Sequence, residues 1–180
     1  MLPTAHVELT WGALRCLQQR LPGRLANVDY RGVAAAAILP DLIDKPLAIW
    51  VLPHSGAALL WAHTLLVHAG LWLTLLARRA WGWLPYALAF SGHLAADRMW
   101  GFPQTLLWPL RGRQFHQWRH VGTPQEFAQA YRDIVREEPK LVLFEVAGLL
   151  TLGWLVWRHC LWQPRRLWRF VASGRLPEGA

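Results

Sequence analysis

His93 and Asp97 stand four residues apart in the apolar run SGHLAADRMW (91–100), one helical turn from each other. Asp41 and Asp44, three apart in ILPDLID (38–44), also share a helical face, and His63 follows in AHTLL (62–66). Imidazole and carboxylate suit zinc, manganese or iron, and a catalytic centre leaves one coordination position open for water. We expect a divalent metal, zinc or manganese, held by Asp41, Asp44, His63, His93 and Asp97. Asp44 or Asp41 would take up the proton of a water during hydrolysis. The same residues also fit a buried hydrogen-bond network in which Lys45 and Arg98 pair with Asp44, Asp41 or Asp97.

The remaining polar groups in apolar surroundings carry less. His54 falls at a span boundary, and His68 is expected to hydrogen-bond a neighbouring helix. His116 and His120 lie four apart in HQWRH, which reads as a solvated basic loop. Glu145 lies inside a long apolar run, where it must either pair with an arginine or serve as an acid or base.

Bringing such groups to one depth needs several helices. The chain has 180 residues, one domain's worth, with 54% hydrophobic and 17% charged residues and 13 tryptophans. With several apolar runs near bilayer-spanning length, this points to a membrane protein. The net charge of +8 does not imply a nucleic-acid partner. Its basic residues cluster beside the apolar runs, at Arg20, Arg24 and Arg31, at Arg78 and Arg79, and at Arg165, Arg166 and Arg169, as the positive-inside bias expects. Cys16 and Cys160 form no metal or disulfide motif. The first twenty residues, with Glu8 and Arg15, do not read as a signal peptide.

Residues 4–20 are expected to form an amphipathic helix, ended by Pro22 and Gly23. Residues 33–52 are apolar apart from PDLIDKP, which predicts a helix broken at its prolines. Spans are expected at 56–77, 80–100 and 141–162, the first two as a hairpin about Arg78 and Arg79. GFPQTLLWPL (101–110) reads as a proline-broken or re-entrant segment, and TPQEFAQAYRDIVREE as a helix capped by Thr123. With Arg78, Arg79 and the basic tail cytoplasmic, His54 and Trp100 face the opposite side, and His63 and His93 reach similar depth. The expected fold is all-α, one domain over 1–180. It is a polytopic membrane bundle of about four spans, an N-terminal amphipathic helix and the broken segment.

ILPDLID (38–44), AHTLL (62–66) and GHLAADRMWGFPQTLLWPL (92–110), with His6 near the start, resemble the YdjM-like family of membrane-bound metal-dependent hydrolases. The resemblance covers roughly residues 1–112. It implies that His6, Asp41, Asp44, His63, His93 and Asp97 are the family's polar positions, which adds His6 to the metal set. One departure is that HSGAALLWAH lacks the basic residue often found before the His63 block. A fainter similarity links the order of these residues to the all-helical zinc-dependent phospholipase C and nuclease fold, whose later His and HxxxE ligands are missing here.

These readings predict a multi-pass inner-membrane hydrolase of an amphiphilic ester or phosphodiester, with a membrane lipid or lipid-like molecule as substrate. The alternative is a non-catalytic scaffold or partner-binding protein with a structural polar or metal core. A transporter fits less well, because no inverted repeat is visible.

Overall fold

Proline opens five of the helices, where its missing N–H costs nothing and its fixed φ suits the first turn. The computed structural model describes residues 1–23, 25–117 and 123–177, apart from the side chain of Phe127. The described elements are α1 (Pro3–Arg20), α2 (Tyr30–Pro46), α3 (Leu65–Ala77), α4 (Leu84–Ala96), α5 (Pro103–Leu106), α6 (Pro124–Glu137), α7 (Lys140–Arg158) and α8 (Pro164–Ser173). Short 3₁₀ turns and one π-helical turn, Leu47–Val51, join them, and no strand occurs among the described residues. The all-α expectation holds.

Side-chain caps set several boundaries. Asp29 accepts the Arg31 N–H at the start of α2, Thr64 accepts the Val67 N–H at the start of α3, and Thr123 and Glu126 form a reciprocal capping box on α6. The core lies where α1, α2 and α4 meet, around Leu14, Val33, Ala37, Ala89 and Phe90, and Phe170 of α8 packs into it. The far face of α1 packs along α7. Gly148 permits this close approach, since a Cβ there would fall 3.2 Å from the Ala5 Cα and 2.3 Å from Glu8 Oε2.

The structure corrects the expected spans. The runs 56–77 and 80–100 are not continuous helices; α3 and α4 have 13 residues each, about 20 Å long against a hydrocarbon core of about 30 Å. Residues 56–64 are drawn out of α-helix because Asp44 captures the Leu60 and Ala62 N–H groups. Only α7, among the described helices, is long and apolar enough to cross a bilayer. The expected break in 33–52 is also corrected. α2 runs through Pro40 as far as Pro46, and the π-helical turn continues it.

Much apolar surface stays uncovered. Leu143, Leu150 and Trp157 of α7 are 68%, 70% and 67% exposed, and Leu65, Leu66 and Leu73 of α3, with Trp50 and Val51 after α2, are exposed too. α8, expected only as a basic tail, is an amphipathic helix with Leu167, Trp168 and Val171 exposed on one side. Arg31 donates to the Val171 and Ala172 carbonyls, and the Tyr30 N–H to that of Gly174, so the end of α8 is bolted to the start of α2.

Candidate metal centre

Four expected ligands converge. Ligand atoms of Asp41, His63, His93 and Asp97 all lie within 4.8 Å of one another, and the two imidazoles are fully enclosed. His63 sits in the 3₁₀ turn before α3, His93 in the last turn of α4, and Asp97 at the C-cap of α4. α3 and α4 are antiparallel neighbours, which is why the start of one meets the end of the other.

Hydrogen bonds on the outer side fix how each imidazole faces the centre. His93 Nδ1 is 2.7 Å from the Ala37 carbonyl, which can only accept, so Nδ1 carries the proton. That carbonyl lies in α2, next to the Ala36 carbonyl whose i+4 donor is missing because residue 40 is proline. His63 Nδ1 is 2.7 Å from Asp44 Oδ2, and the same carboxylate accepts the Leu60 and Ala62 N–H groups at 2.7 and 3.1 Å. Nδ1 of His63 is therefore the donor as well. In the neutral rings both Nε2 atoms are bare lone pairs, and they face each other at 3.1 Å.

Two lone pairs at that separation repel unless a proton or a metal cation lies between or beside them. Zinc–nitrogen bonds of 2.0–2.1 Å at a tetrahedral angle place two nitrogens about 3.3 Å apart. Asp97 Oδ2 is 3.3 Å from His93 Nε2 and 3.9 Å from His63 Nε2; Asp41 Oδ1 is 3.7 and 3.6 Å from the same atoms. Asp41 Oδ1 is buried and has no hydrogen-bond partner among the described residues. Such an orphan is costly in a protein, and a metal ion or a water would satisfy it. A buried His₂Asp₂ set of this kind can bind a divalent cation.

The other two expected ligands stand one step away. Asp44 lies behind His63, with both oxygens committed, as the carboxylate of a carboxylate–histidine–metal arrangement. His6 comes from α1, is 1% exposed and stacks on His93 with ring centroids 4.2 Å apart. Its Nε2 is 3.0 Å from Asp97 Oδ1, without hydrogen-bond alignment, and Met1's main-chain nitrogen is 2.6 Å from the same oxygen.

Electrostatics suit ligation. Burial holds His6 below the ordinary imidazole range, so that ring is neutral. Burial opposes charge on Asp97, but the imidazoles of His6 and His93 outweigh it and keep the carboxyl far below the usual carboxylate range. Lys45 donates to Asp41 Oδ2 and to the Tyr131 hydroxyl. Its burial is offset by Asp41, and the ammonium stays protonated.

The remaining candidates separate from this centre. His68 bridges Ser91 of α4 and the Ala62 carbonyl at 3.0 Å each, as an interhelical hydrogen bond should. His54 is exposed, and His116 packs against Phe102 at the cleft mouth. Arg24, Arg119 and His120 lie outside the described residues. Glu145 pairs with no arginine among the described residues; it accepts from the Thr4 hydroxyl and faces Glu8 across the α1–α7 seam. Sequence reasoning missed Tyr131, whose contact with Lys45 joins residues 86 apart, and the Ala37 carbonyl, which no side-chain pattern reveals.

None of the family models, curated proteins or solved structures compared with the chain matches it.

Proposed function

We propose that the chain is a metal-dependent hydrolase of an amphiphilic ester or phosphodiester, held in the inner membrane and working with zinc or manganese. The observation that carries this reading is the pair of inward Nε2 lone pairs, each fixed by an outward hydrogen bond and flanked by Asp41 and Asp97. The resemblance of these segments to YdjM-like hydrolases supports the same reading. A bound divalent cation supplies a nucleophilic water near neutral pH and polarises the scissile bond.

The protein's own groups do the rest. Asp44 keeps the His63 ring in place, accepts three hydrogen bonds and is fully buried, which makes Asp41, on the cleft wall, the better proton acceptor. Lys45, charged and tied to Asp41 and Tyr131, stands where negative charge would develop on a substrate. Membrane placement draws support from the uncovered apolar side chains of α7, α3 and the end of α2. In this arrangement α7 crosses the bilayer and the other faces rest against lipid.

One observation favours a non-catalytic alternative. Asp41 already pairs with Lys45, and Asp97 with the Met1 nitrogen, so the carboxylates are partly satisfied within the chain. Turnover separates the two. The detergent-purified chain should hydrolyse members of a panel of lipid esters and phosphodiesters, lose that activity to a chelator and regain it with zinc or manganese. Stoichiometric metal without turnover on the panel would favour the structural role.

A further inference from the structure

The cluster opens on one side among the described residues. A cleft of about 350 Å³ reaches it past Asp41 and Asp97, between α2, the turn after α4, α6 and the first residues of α7. Its lining is chemically divided: Lys45 and Arg98 stand beside the two aspartates, while Leu59, Phe102, Ile134 and Leu141 form an apolar flank. Leu141 is the second residue of α7, so the apolar flank leads to the start of the helix long enough to cross a membrane. Glu137 and Glu138 stand at the end of α6, on the far rim.

The two cations differ in availability. Lys45 is engaged by Asp41 and Tyr131. Arg98 is exposed, and its guanidinium has no hydrogen bond or ion pair among the described residues. Its backbone lies in the left-handed region, φ 51, which residues other than glycine adopt uncommonly and which recurs at functional sites. This conformation ends α4 and sets Arg98 on the cleft directly after Asp97. A free guanidinium beside a cation-binding centre matches a phosphate, which it can hold through two parallel charge-assisted hydrogen bonds; a neutral carboxylic ester offers no such charge.

We infer that Arg98 is a phosphate-binding residue and that the substrate is a phosphate-bearing amphiphile, its acyl part lying along the apolar flank toward α7. This rests on the reading of the histidine–aspartate cluster as the reacting centre.

The full chain in detergent is titrated calorimetrically with dihexanoyl phosphatidic acid, dihexanoylglycerol and inorganic phosphate, and its zinc content is measured separately. The phosphatidic acid is expected to bind at least tenfold more tightly than either of the others. Arg98→Gln should remove roughly that tenfold preference with zinc content unchanged, and Arg98→Lys should restore part of it. Equal binding of the phosphatidic acid and the diacylglycerol, or an Arg98→Gln variant that binds like the wild type, overturns the assignment. Inorganic phosphate binding as tightly as the phosphatidic acid overturns the amphiphile. Absence of zinc from a wild type that retains Arg98-dependent binding removes the metal reading and supports the phosphate assignment by itself.

Discussion

Two regions of this molecule bury carboxylates, and they do so in opposite ways. At the α2–α4 junction the outward nitrogens of His63 and His93 each have an acceptor, so their inward nitrogens and the Asp41 and Asp97 oxygens are left aimed at a common point. At the α1–α7 seam Glu8 and Glu145 face each other, with Thr4 donating to Glu145, and Glu8 Oε2 and Glu145 Oε1 have no hydrogen-bond partner among the described residues. Nothing there orients the spare lone pairs, no histidine joins them, and like charges are simply opposed. Burial of polar atoms alone thus does not mark a site. Orientation by a surrounding set of hydrogen bonds does.

The sharpest break in this contrast is His93→Ala, which should reduce bound zinc from one equivalent to almost none by elemental analysis, while Glu145→Gln leaves it unchanged. His6→Ala, removing a ring that stacks on the centre, should cost far less metal than His93→Ala. Next in size is Asp44→Asn. The amide cannot reproduce the anionic acceptor behind His63, and zinc affinity measured by competition with a chelator should fall about 10- to 100-fold with helix content unchanged.

At the seam the effects are on stability. Gly148→Val places a side chain against the Ala5 backbone and Glu8, and should destabilise the fold by about 1–3 kcal/mol with zinc affinity intact. The smallest effect is that of Glu8→Gln. Burial, and then the nearby Glu145 carboxylate, raise the Glu8 carboxyl above its ordinary value of 4.5. The folded chain therefore binds more protons there than the unfolded chain does. Its stability should decline as pH rises from about 4.5 through the raised value and then level off. Glu8→Gln should flatten that decline in thermal unfolding followed across pH, a change the metal site does not produce.

The site was more legible than the architecture. His93 and Asp97 announce themselves by a four-residue spacing inside an apolar run, and Asp41 and His63 by being ionisable where hydrocarbon would be cheaper. The Thr123 cap of α6 and the apolar length of α7 were equally plain. Hydropathy misread residues 56–64 because it records composition and not hydrogen bonding. The carboxylate that unwinds this segment, Asp44, lies 16 residues before Leu60. Pro40 predicts a break that α2 does not show, because the helix tolerates the one hydrogen bond lost at the Ala36 carbonyl. Asp44 lies beside the cluster, but only three-dimensional geometry separates a group facing the centre from one standing behind a ligand.

The central claim is that His63 and His93 present their Nε2 atoms to one metal ion together with carboxylate oxygen. X-ray absorption at the zinc K-edge of the purified, zinc-loaded chain tests it directly. The account predicts a shell of nitrogen and oxygen only, near 2.0–2.1 Å, with outer-shell scattering from two imidazoles that disappears in His93→Ala. Sulfur in the first shell, or a spectrum of fully hydrated zinc identical in wild type and His93→Ala, would contradict it.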